Sequence, residues 1–289
     1  MRILIAGGAG MLAQDLVLAA ARAGHEPLAL GRAELDVVDR AAVRARLAGE
    51  RPDAVVNCAA FTDVDGAESH EQQAHAVNGC GAGHLAEAAA ELGVPLVHVS
   101  TDYVFDGSAP RDADGQPRAY LESDPTGPLS VYGASKLDGE QRVLAASDEH
   151  AVLRSAWLFG AGGGNFVETM LRLAGERDAV QVVDDQIGCP TWTGHLAPAL
   201  VGLLDRRVSG LVHLAGSGRV SWNGFAREIF RQAHSGCAVE AVSSERFARP
   251  APRPSWSVLE SERDDVIPMP EWRDGLAGYL AARDGIIRR

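Results

Sequence analysis

The stretch "RILIAGGAGMLAQDL", residues 2–16, decides the fold of this chain. Its first five residues are typical of a short β-strand, glycines follow at once, and a helical pattern runs from about residue 10 to residue 23. Gly7, Gly10 and Ala13 form a GxxGxxA pattern in this turn. Glycine permits a tight turn and close approach of a pyrophosphate, and the following helix offers free N–H groups. A strand, a glycine turn and a helix in this order predict a dinucleotide-binding site.

Strands and helices continue to alternate along the rest of the first half. This alternation predicts βαβ units, in which helices cover both faces of a parallel sheet. The expected fold class is α/β, a Rossmann-type doubly wound parallel sheet with a smaller, interleaved C-terminal substrate-binding region. One long helix is predicted over residues 74–93. The further strand candidates are "PLAL" (27–30), "DAVVNCAA" (53–60), "PLVHVS" (95–100), "HAVLRSAWLFG" (150–160), "AVQVV" (179–183) and "GLVHLAG" (210–216).

We expect two interleaved units along the chain. Residues 1–160 are predicted to form the dinucleotide-binding Rossmann domain, with its sheet continued by residues 179–218. Residues 161–178 and 219–289 then form the substrate-binding region. Within it, the alternation is lost over residues 235–269 and prolines cluster in "RPAPRP".

Composition excludes several classes of partner. The net charge is −12 at pH 7, whereas nucleic acids and anionic membranes attract basic surfaces. No apolar run approaches the roughly 18 residues of a membrane span. The four cysteines are widely spaced without a CxxC pair, and the histidines show no HxxxH or HxH spacing. We therefore expect a reduced, cytoplasmic protein without a structural zinc site.

The residues after the second strand bear on the choice of cofactor. An NAD-specific site usually has an acidic residue at that strand end, bonded to the ribose 2′-hydroxyl. In "ALGRAELD" (29–36), Gly31 and Arg32 stand where the acid would be, and Asp36 lies further along. Arg32 either pairs with a 2′-phosphate or is a solvated loop cation. We favour NADPH as the cofactor and leave NADH open.

Lys136 is the only lysine among the 289 residues, since every other cationic side chain is arginine. It lies four residues after Tyr132 in "PLSVYGASKLDGEQ" (128–141), which places both side chains on one face of a helix. A phenol titrates near 10, and a nearby ammonium lowers that pKa by stabilising the phenolate. Arginine is bulkier and cannot lose its proton, so it replaces lysine poorly there. The pair predicts that Tyr132 is a general acid and that Lys136 is the cation that supports it. The alternative is that the two residues form an ordinary surface pair on a helix.

Thr101 follows the strand candidate "PLVHVS" directly. Ligands of open α/β sheets bind beyond the carboxyl ends of the strands. Thr101 can therefore hydrogen-bond a substrate carbonyl that Tyr132 protonates. Taken alone, a threonine at a strand end is usually structural.

Thr101, Tyr132 and Lys136 after an N-terminal GxxGxxA loop resemble the extended short-chain dehydrogenase/reductases. Within that superfamily the chain resembles the dTDP-4-dehydrorhamnose reductase family, in seven blocks that run in order along nearly the whole sequence. The blocks are "NCAAFTDVDGAE", "STDYVFDG", "PLSVYGASKLDGE", "LRSAWLFG", "NFVETMLRLA", "DDQIGCPT" and "RPSWSVL".

The resemblance implies an NAD(P)H-dependent oxidoreductase that reduces the C4 ketone of a dTDP-linked 4-keto-6-deoxyhexose, foremost dTDP-4-dehydrorhamnose to dTDP-rhamnose. It implies Thr101, Tyr132 and Lys136 as the catalytic set, and it leaves a homodimer open. The cofactor-binding residues, with Arg32 added from its position, are then Gly7, Gly10, Met11, Leu12, Arg32, Asp36, Val37, Ala59, Ala60, Asn78, Tyr132 and Lys136. The substrate-binding residues are Thr101, Asp102, Trp157, Asn165, Arg253 and Trp256.

The sequence departs from the family pattern at several positions. Ala13 replaces the third loop glycine, and Trp256 stands where the family commonly has asparagine. Trp256 either alters the nucleotide-sugar pocket or packs in the core. Asp15 matches a carboxylate of a metal-linked dimer contact found in some members. Because Gly194 stands near where another carboxylate would be, no metal is predicted.

Three alternatives accompany the leading function. A sugar dehydratase or epimerase is disfavoured, because Tyr103 follows Asp102 where dehydratases carry a glutamate. A non-catalytic NADP-binding regulatory subunit is disfavoured by the complete set of Thr101, Tyr132 and Lys136. A 4-ketoreductase of a different nucleotide-sugar in secondary metabolism stays open, because the composition does not choose a pathway.

Overall fold

The structure is a computed structural model that describes residues 1–287, with side chains described for residues 1–283. Its strands are β1 (Arg2–Ala6), β2 (Glu26–Leu30), β3 (Ala54–Asn57), β4 (Leu96–Thr101), β5 (Ala151–Ser155), β6 (Leu158–Phe159), β7 (Ala179–Val183), β8 (Ile187–Gly188), β9 (Thr191–Trp192), β10 (Gly210–His213), β11 (Val220–Ser221), β12 (Ala238–Val242) and β13 (Trp256–Ser257). Its α-helices are α1 (Met11–Arg22), α2 (Arg40–Glu50), α3 (Val64–Ala67), α4 (Glu71–His75), α5 (Ala82–Leu92), α6 (Val131–Ala146), α7 (Phe166–Glu176), α8 (Thr193–Asp205), α9 (Trp222–Gln232) and α10 (Trp272–Ile287).

Six parallel strands form the central sheet, in the order β10–β5–β4–β3–β1–β2. The chain runs from β1 outward to β2 and then returns to place β3 on the other side of β1. A crevice opens beyond the carboxyl ends of the strands at such a reversal, and ligands of doubly wound sheets bind there. The predicted α/β, Rossmann-type fold is confirmed.

Apolar runs explain why the central sheet is buried on both faces. In β1, residues Ile3–Ile5 are fully buried, and all four residues of β3 are buried. Helices α1 and α8 cover one face, where Leu16 and Leu200 are fully buried. Helices α2, α5 and α6 cover the other face, where Leu47 and Val143 are fully buried. Parallel strands linked by helical crossovers require these two apolar layers.

The prediction that "AVQVV" continues the central sheet is wrong. This segment is β7, which pairs with β12 in a separate two-stranded sheet. Val180 and Val182 are buried, whereas Ala179 and Gln181 are exposed. The strand therefore packs on one face only, unlike the central strands. Of the two later segments predicted to extend the sheet, Gly210–His213 is the one that does so, as its edge strand β10.

The helix predicted over residues 74–93 is interrupted. A π-helical segment, Ala76–Gly81, separates α4 from α5. It brings Asn78 against α6, where the Asn78 amide donates to the Ser135 hydroxyl at 2.9 Å. Such wide turns often occur beside functional sites, and this one borders the helix that carries Lys136.

A second, smaller apolar core lies outside the central sheet. Helices α7, α9 and α10 pack around Phe159, Phe225 and Trp272. Three small sheets, β6–β9, β7–β12 and β11–β8–β13, lie in the same half of the chain. The last two residues of the predicted substrate-binding range, 288–289, lie outside the described residues. Across residues 1–287, no helix combines the length and apolar character that crossing a membrane needs.

Candidate active site

A cavity of about 760 Å³ lies beyond the carboxyl ends of β1, β2, β3 and β4. Helix α6 and the turn after β5 complete its walls. Its volume is in the range of small-molecule binding sites. The predicted site residues that line it are Gly7, Gly10, Met11, Leu12, Arg32, Asp36, Val37, Ala59, Ala60, Thr101, Asp102, Tyr132, Lys136 and Trp157.

The turn after β1 can exist only because of its glycine. Gly7 has a φ of +78°, and a Cβ there would lie 2.6 Å from the backbone nitrogen of Ala59. No larger residue fits so close an approach in the left-handed region. Gly10 precedes α1 without a side-chain cap, so the first N–H groups of α1 have no side-chain partner from it. Free N–H groups at the start of a helix form a binding site for phosphate.

Arg32 lies at the rim of the cavity, after β2. Its side chain is 76% exposed and 3.8 Å from the Asp36 carboxylate. An exposed ion pair at this distance holds a guanidinium weakly. Arg32 is therefore free to contact an anionic group that enters beside the turn after β1.

Helix α6 places Tyr132 beside the end of β4. Its N-cap, Ser130, accepts a hydrogen bond from the Gly133 N–H at 3.2 Å. A Cβ on Gly133 would clash with the Tyr103 carbonyl, so glycine lets α6 approach the turn after β4. The Tyr103 and Tyr132 rings meet edge to face, with centroids 5.5 Å apart. Thr101, the last residue of β4, therefore lies next to Tyr132.

The Tyr132 phenol keeps its proton at neutral pH. Burial raises the pKa of Tyr132 to about 12, and a hydrogen bond with Thr101 offsets part of this rise. The expected lowering of this pKa by Lys136 is not found. Lys136 is 2% exposed, and its Nζ donates to the Val99 carbonyl at 2.6 Å. Burial in turn lowers the pKa of Lys136 to about 8, against the opposing effect of Glu140.

Thr101 and Asp102 are hydrogen-bonded to each other at the end of β4. The Thr101 hydroxyl donates to Asp102 Oδ1 at 3.0 Å and accepts from the Tyr103 N–H at 3.2 Å. Burial raises the pKa of Asp102 to about 6, although the Ser257 and Thr101 hydroxyls favour the carboxylate. Asp102 Oδ2 is buried and has no partner with hydrogen-bond geometry among the described residues. Asp102 therefore holds the Thr101 hydroxyl in place at the end of β4.

Trp222, which the sequence analysis missed, lines the cavity beside Trp157. The two indole rings stack, with centroids 3.5 Å apart and planes 4° apart. Trp157 has a φ of +50°, which is rare for a residue with a side chain and often occurs at ligand sites. No sequence signal connects the two residues, because Trp222 begins α9 and Trp157 follows β5.

Asn78 lies outside the cavity lining, which differs from its predicted contact with the cofactor. Its Oδ1 accepts from the Phe61 N–H at 2.8 Å, and its Nδ2 donates to the Phe61 carbonyl at 3.1 Å. Asn78 thus holds the backbone of Phe61, which does line the cavity. Its role in this structure is to support the wall.

Asn165 also lies outside the cavity lining. It caps α7, with Oδ1 accepting from the Glu168 N–H at 3.0 Å and Nδ2 donating to the Gly160 carbonyl at 2.8 Å. Both ends of the amide therefore have partners within the protein. The structure does not bring Asn165 to the predicted substrate contact.

Arg253 is paired with Asp65. Its two terminal nitrogens donate to the two Asp65 oxygens at 2.9 and 2.8 Å, and Arg249 lies 3.4 Å from the same carboxylate. The hydrogen bonds from Arg253 lower the pKa of Asp65 to about 2. This pair ties α3 to the segment before β13, and Arg253 lies outside the lining predicted for it.

Trp256 packs in the core, which is the second of the two alternatives given for it. It is 8% exposed and absent from the cavity lining. Its indole N–H donates to the Arg118 carbonyl at 3.0 Å, and the Arg219 guanidinium lies 5.1 Å from the ring centroid. Trp256 is therefore not placed to contact a ligand in this cavity.

Asp15, the carboxylate considered for a metal contact, accepts a hydrogen bond from the Thr193 hydroxyl at 2.5 Å. Gly194 follows directly, at the start of α8. Within residues 1–283, no group of three or more His, Cys, Asp or Glu side chains is placed to hold a metal ion.

The residues that line this cavity together define the class of protein. A glycine turn for a dinucleotide and a Thr–Tyr–Lys set for a carbonyl meet at the switch point of a Rossmann-type sheet, as in the extended short-chain dehydrogenase/reductases. The protein is an oxidoreductase of that class.

The chain belongs to the dTDP-4-dehydrorhamnose reductase family, as its resemblance indicated. The family model described as "RmlD substrate binding domain" matches residues 1–284. A dTDP-4-dehydrorhamnose reductase of Mycobacterium tuberculosis is 47% identical over 287 residues, covering 97% of this chain and 93% of that protein. The crystal structure of a dTDP-4-dehydrorhamnose reductase of Clostridium acetobutylicum superposes with a TM-score of 0.93 at 36% identity, covering 98% of this chain and all of that one. The enzyme of Bacillus anthracis, solved in complex with NADP, gives a TM-score of 0.92 at 34% identity, covering 97% and 99%.

Proposed function

We propose that this protein uses NADPH to reduce the C4 ketone of a dTDP-linked 4-keto-6-deoxyhexose, foremost dTDP-4-dehydrorhamnose to dTDP-rhamnose. The observation that carries the proposal is the meeting of Thr101, Tyr132 and Lys136 with the glycine turn in one cavity. Membership of the family supports the choice of substrate. Because the proposed reaction draws on reduced nicotinamide and a nucleotide-sugar, we propose that the protein works in the cytoplasm.

The residues of the cavity fit NADPH. Gly7, which lines the cavity without a side chain, and the uncapped start of α1 suit a pyrophosphate. Arg32, exposed at the rim, suits a 2′-phosphate because a guanidinium forms strong charge-assisted hydrogen bonds with phosphate. Lys136 suits a ribose hydroxyl. When bound, the cofactor supplies the hydride that reduces the ketone.

The protein supplies the proton and stabilises the developing charge. As the carbonyl oxygen of the ketone becomes an alkoxide, the hydroxyls of Thr101 and Tyr132 donate to it. Tyr132 transfers its proton as the general acid, and the buried phenol holds that proton ready at neutral pH. Thr101 must turn its hydroxyl from Asp102 toward the substrate, because a hydroxyl has one hydrogen to donate.

Asp102, Trp157 and Trp222 orient the nucleotide-sugar in this proposal. Asp102 acts through Thr101, whose hydroxyl donates to Asp102 Oδ1 and lies beside Tyr132. The stacked indoles of Trp157 and Trp222 give a flat apolar wall for the sugar or the base. A reductase needs this orientation because a misplaced carbonyl loses much of the rate.

The test is an assay of NADPH oxidation with dTDP-4-dehydrorhamnose and a panel of other nucleotide-linked 4-ketohexoses. We expect turnover with dTDP-4-dehydrorhamnose and a product that carries a C4 hydroxyl, which NMR identifies together with its stereochemistry. Tyr132→Phe, prepared in parallel, controls for contaminating reductases. Turnover with a different 4-keto sugar would indicate another pathway. Binding of NADPH without turnover of any sugar would contradict the proposal and favour a regulatory subunit.

A further inference from the structure

Lys136 ends a chain of buried hydrogen bonds that starts at the turn after β3. The Ala59 N–H donates to Asn57 Oδ1 at 3.0 Å, and Asn57 Nδ2 lies 3.0 Å from His98 Nδ1. His98 Nε2 lies 3.2 Å from Lys136 Nζ, which also donates to the Val99 carbonyl. Asn57 is 1% exposed and His98 is fully buried. Solvent therefore does not replace the bonds that His98 makes to Asn57 and Lys136.

The hydrogens of this chain can be assigned from its fixed end. A backbone N–H only donates, so the Asn57 oxygen faces Ala59 and the Asn57 amide nitrogen donates to His98 Nδ1. Burial holds the pKa of His98 well below its usual range, so the ring is neutral. A neutral imidazole that accepts at Nδ1 carries its hydrogen on Nε2. That N–H faces Lys136.

An ammonium is a poor partner for this N–H. It has three donors and no acceptor, so the His98 N–H and the Lys136 ammonium would place two donors face to face. A neutral amine accepts from His98 through its lone pair and still donates to Val99. We propose that Asn57 and His98 are positioning residues whose hydrogen bonds favour the neutral amine of Lys136 over its ammonium.

Glu140 is the charged group that most favours the ammonium of Lys136, and its own charge is neutralised by Arg154. Glu140 lies one turn beyond Lys136 on α6. Its carboxylate accepts from Arg154 of β5 at 2.6 Å and from the Ser100 hydroxyl of β4 at 2.6 Å. The buried pair of Glu140 and Arg154 leaves little net charge beside Lys136.

The remaining titratable neighbours act weakly on Lys136. Cys58, in the turn after β3, is a neutral thiol because burial raises its pKa to about 12. Tyr132, on the same helix, is a neutral phenol for the same reason. Asp102, after β4, is a further acidic group near Tyr132, and its carboxyl is bonded to Thr101. Burial of Lys136 acts in the same direction as the hydrogen-bond chain.

The consequence for catalysis rests on the proposed function. After Tyr132 has given its proton to the C4 oxygen, the Lys136 ammonium releases one proton into the cavity that both residues line, and the phenolate regains a proton from there. The amine so formed accepts the His98 N–H, and a proton from solvent restores the ammonium. One solvent proton is consumed per ketone reduced, as the overall reaction requires. His98 and Asn57 therefore ease the return of the proton to Tyr132.

The solitary lysine makes a direct measurement possible. Protein grown with ¹³C-labelled lysine has one lysine side chain to observe, and the shift of its Cε against pH gives the midpoint of Lys136. We expect a midpoint near 8 in the cofactor-free protein, below the ordinary 10.5. Labelled histidine reports the His98 tautomer, which we expect to be protonated at Nε2. Neither measurement needs turnover, so failure here is distinguishable from failure of the proposed reaction.

Asn57→Asp should reverse the direction of the hydrogen bonds that His98 makes. A carboxylate accepts from Nδ1–H, which leaves Nε2 of His98 to accept from the ammonium. We expect the tautomer to switch and the Lys136 midpoint to rise by about one pH unit or more. Asn78→Asp is the matched control, because Asn78 is equally buried and contacts Ser135, next to Lys136, but not His98. It is expected to leave the tautomer unchanged.

Three results would overturn the proposal. The first is a wild-type His98 protonated at Nδ1, and the second is a wild-type Lys136 midpoint at or above its ordinary value of 10.5. The third is an equal rise in both variants without a change of tautomer, which would show a charge effect alone. If Asn57→Asp does not fold, the two wild-type measurements still decide.

Discussion

The two sides of the cavity are built in different ways. On the sheet side, Tyr132 and Lys136 stand four residues apart on α6, and Lys136 is enclosed with fixed partners. On the C-terminal side, the wall comes from partners far apart in the chain, such as Trp157 stacked on Trp222. The residues for the chemistry therefore lie close together in the sequence, whereas those for recognition of the substrate are brought together by the fold.

Tyr132→Phe on the sheet side is expected to have the largest effect. Removal of the general acid should lower kcat by about 100- to 10,000-fold. The phenyl ring keeps the packing against Tyr103, so NADPH affinity and thermal stability should hardly change. Steady-state kinetics and a cofactor-binding titration measure both. If the variant keeps most of its kcat, another residue must be the general acid.

Lys136→Arg tests whether the sheet side needs an ammonium or any cation. The guanidinium is larger than a site that is 2% exposed allows, and it cannot give up a proton. We expect a fall in kcat of about 100-fold, with the fold retained by circular dichroism. Lys136→Met, which removes the charge but fits the stem, is the control for size. Activity of the arginine variant within about threefold of wild type would refute the role given to Lys136.

Arg32→Ala tests the cofactor rim between the two sides. Because Arg32 is 76% exposed, we expect a moderate loss of about tenfold in NADPH affinity and a smaller loss for NADH. Arg22, at the far end of α1, offers Arg22→Ala as a control for net charge. Equal losses of affinity for NADPH and NADH in binding titrations would show that Arg32 does not contact the 2′-phosphate.

Trp256→Asn is expected to have the smallest effect on catalysis. Loss of the buried indole should lower the free energy of unfolding by about 3 kcal/mol, while the ratio of kcat/KM values for related 4-keto sugars stays constant. Trp222→Leu, in the cavity wall, is the matched variant and should raise the substrate KM roughly three- to tenfold. A changed sugar preference in Trp256→Asn would show that Trp256 does take part in substrate recognition.

The sheet side could be predicted because its signals are short. A glycine turn after a strand, a pair at i and i+4 and a threonine at a strand end each carry a physical reason within a few residues. The resemblance added Ala59, Ala60 and Trp157, which also line the cavity. The hydrogen-bonded Asn57 and His98 escaped notice because a buried polar residue in a strand looks the same as a structural one.

The C-terminal side could not be predicted in the same way. Nothing in a sequence shows that Trp222 meets Trp157 or that Asp65 holds Arg253, because these contacts depend on how two apolar cores dock. The error over β7 had a visible signal. Gln181 interrupts its valines, and such alternation favours a strand packed on one face over a central parallel strand.

We expect this cavity to bring NADPH and a sugar ketone together for hydride transfer. The direct test uses NADPH deuterated at the reactive carbon of the nicotinamide, with dTDP-4-dehydrorhamnose as substrate and NMR and mass spectrometry of the product. We expect a single deuterium at C4 of the sugar, in one configuration, with none transferred by Tyr132→Phe at the same protein concentration. A product without deuterium at C4, or cofactor that stays bound and unoxidised beside the ketone, would contradict the account.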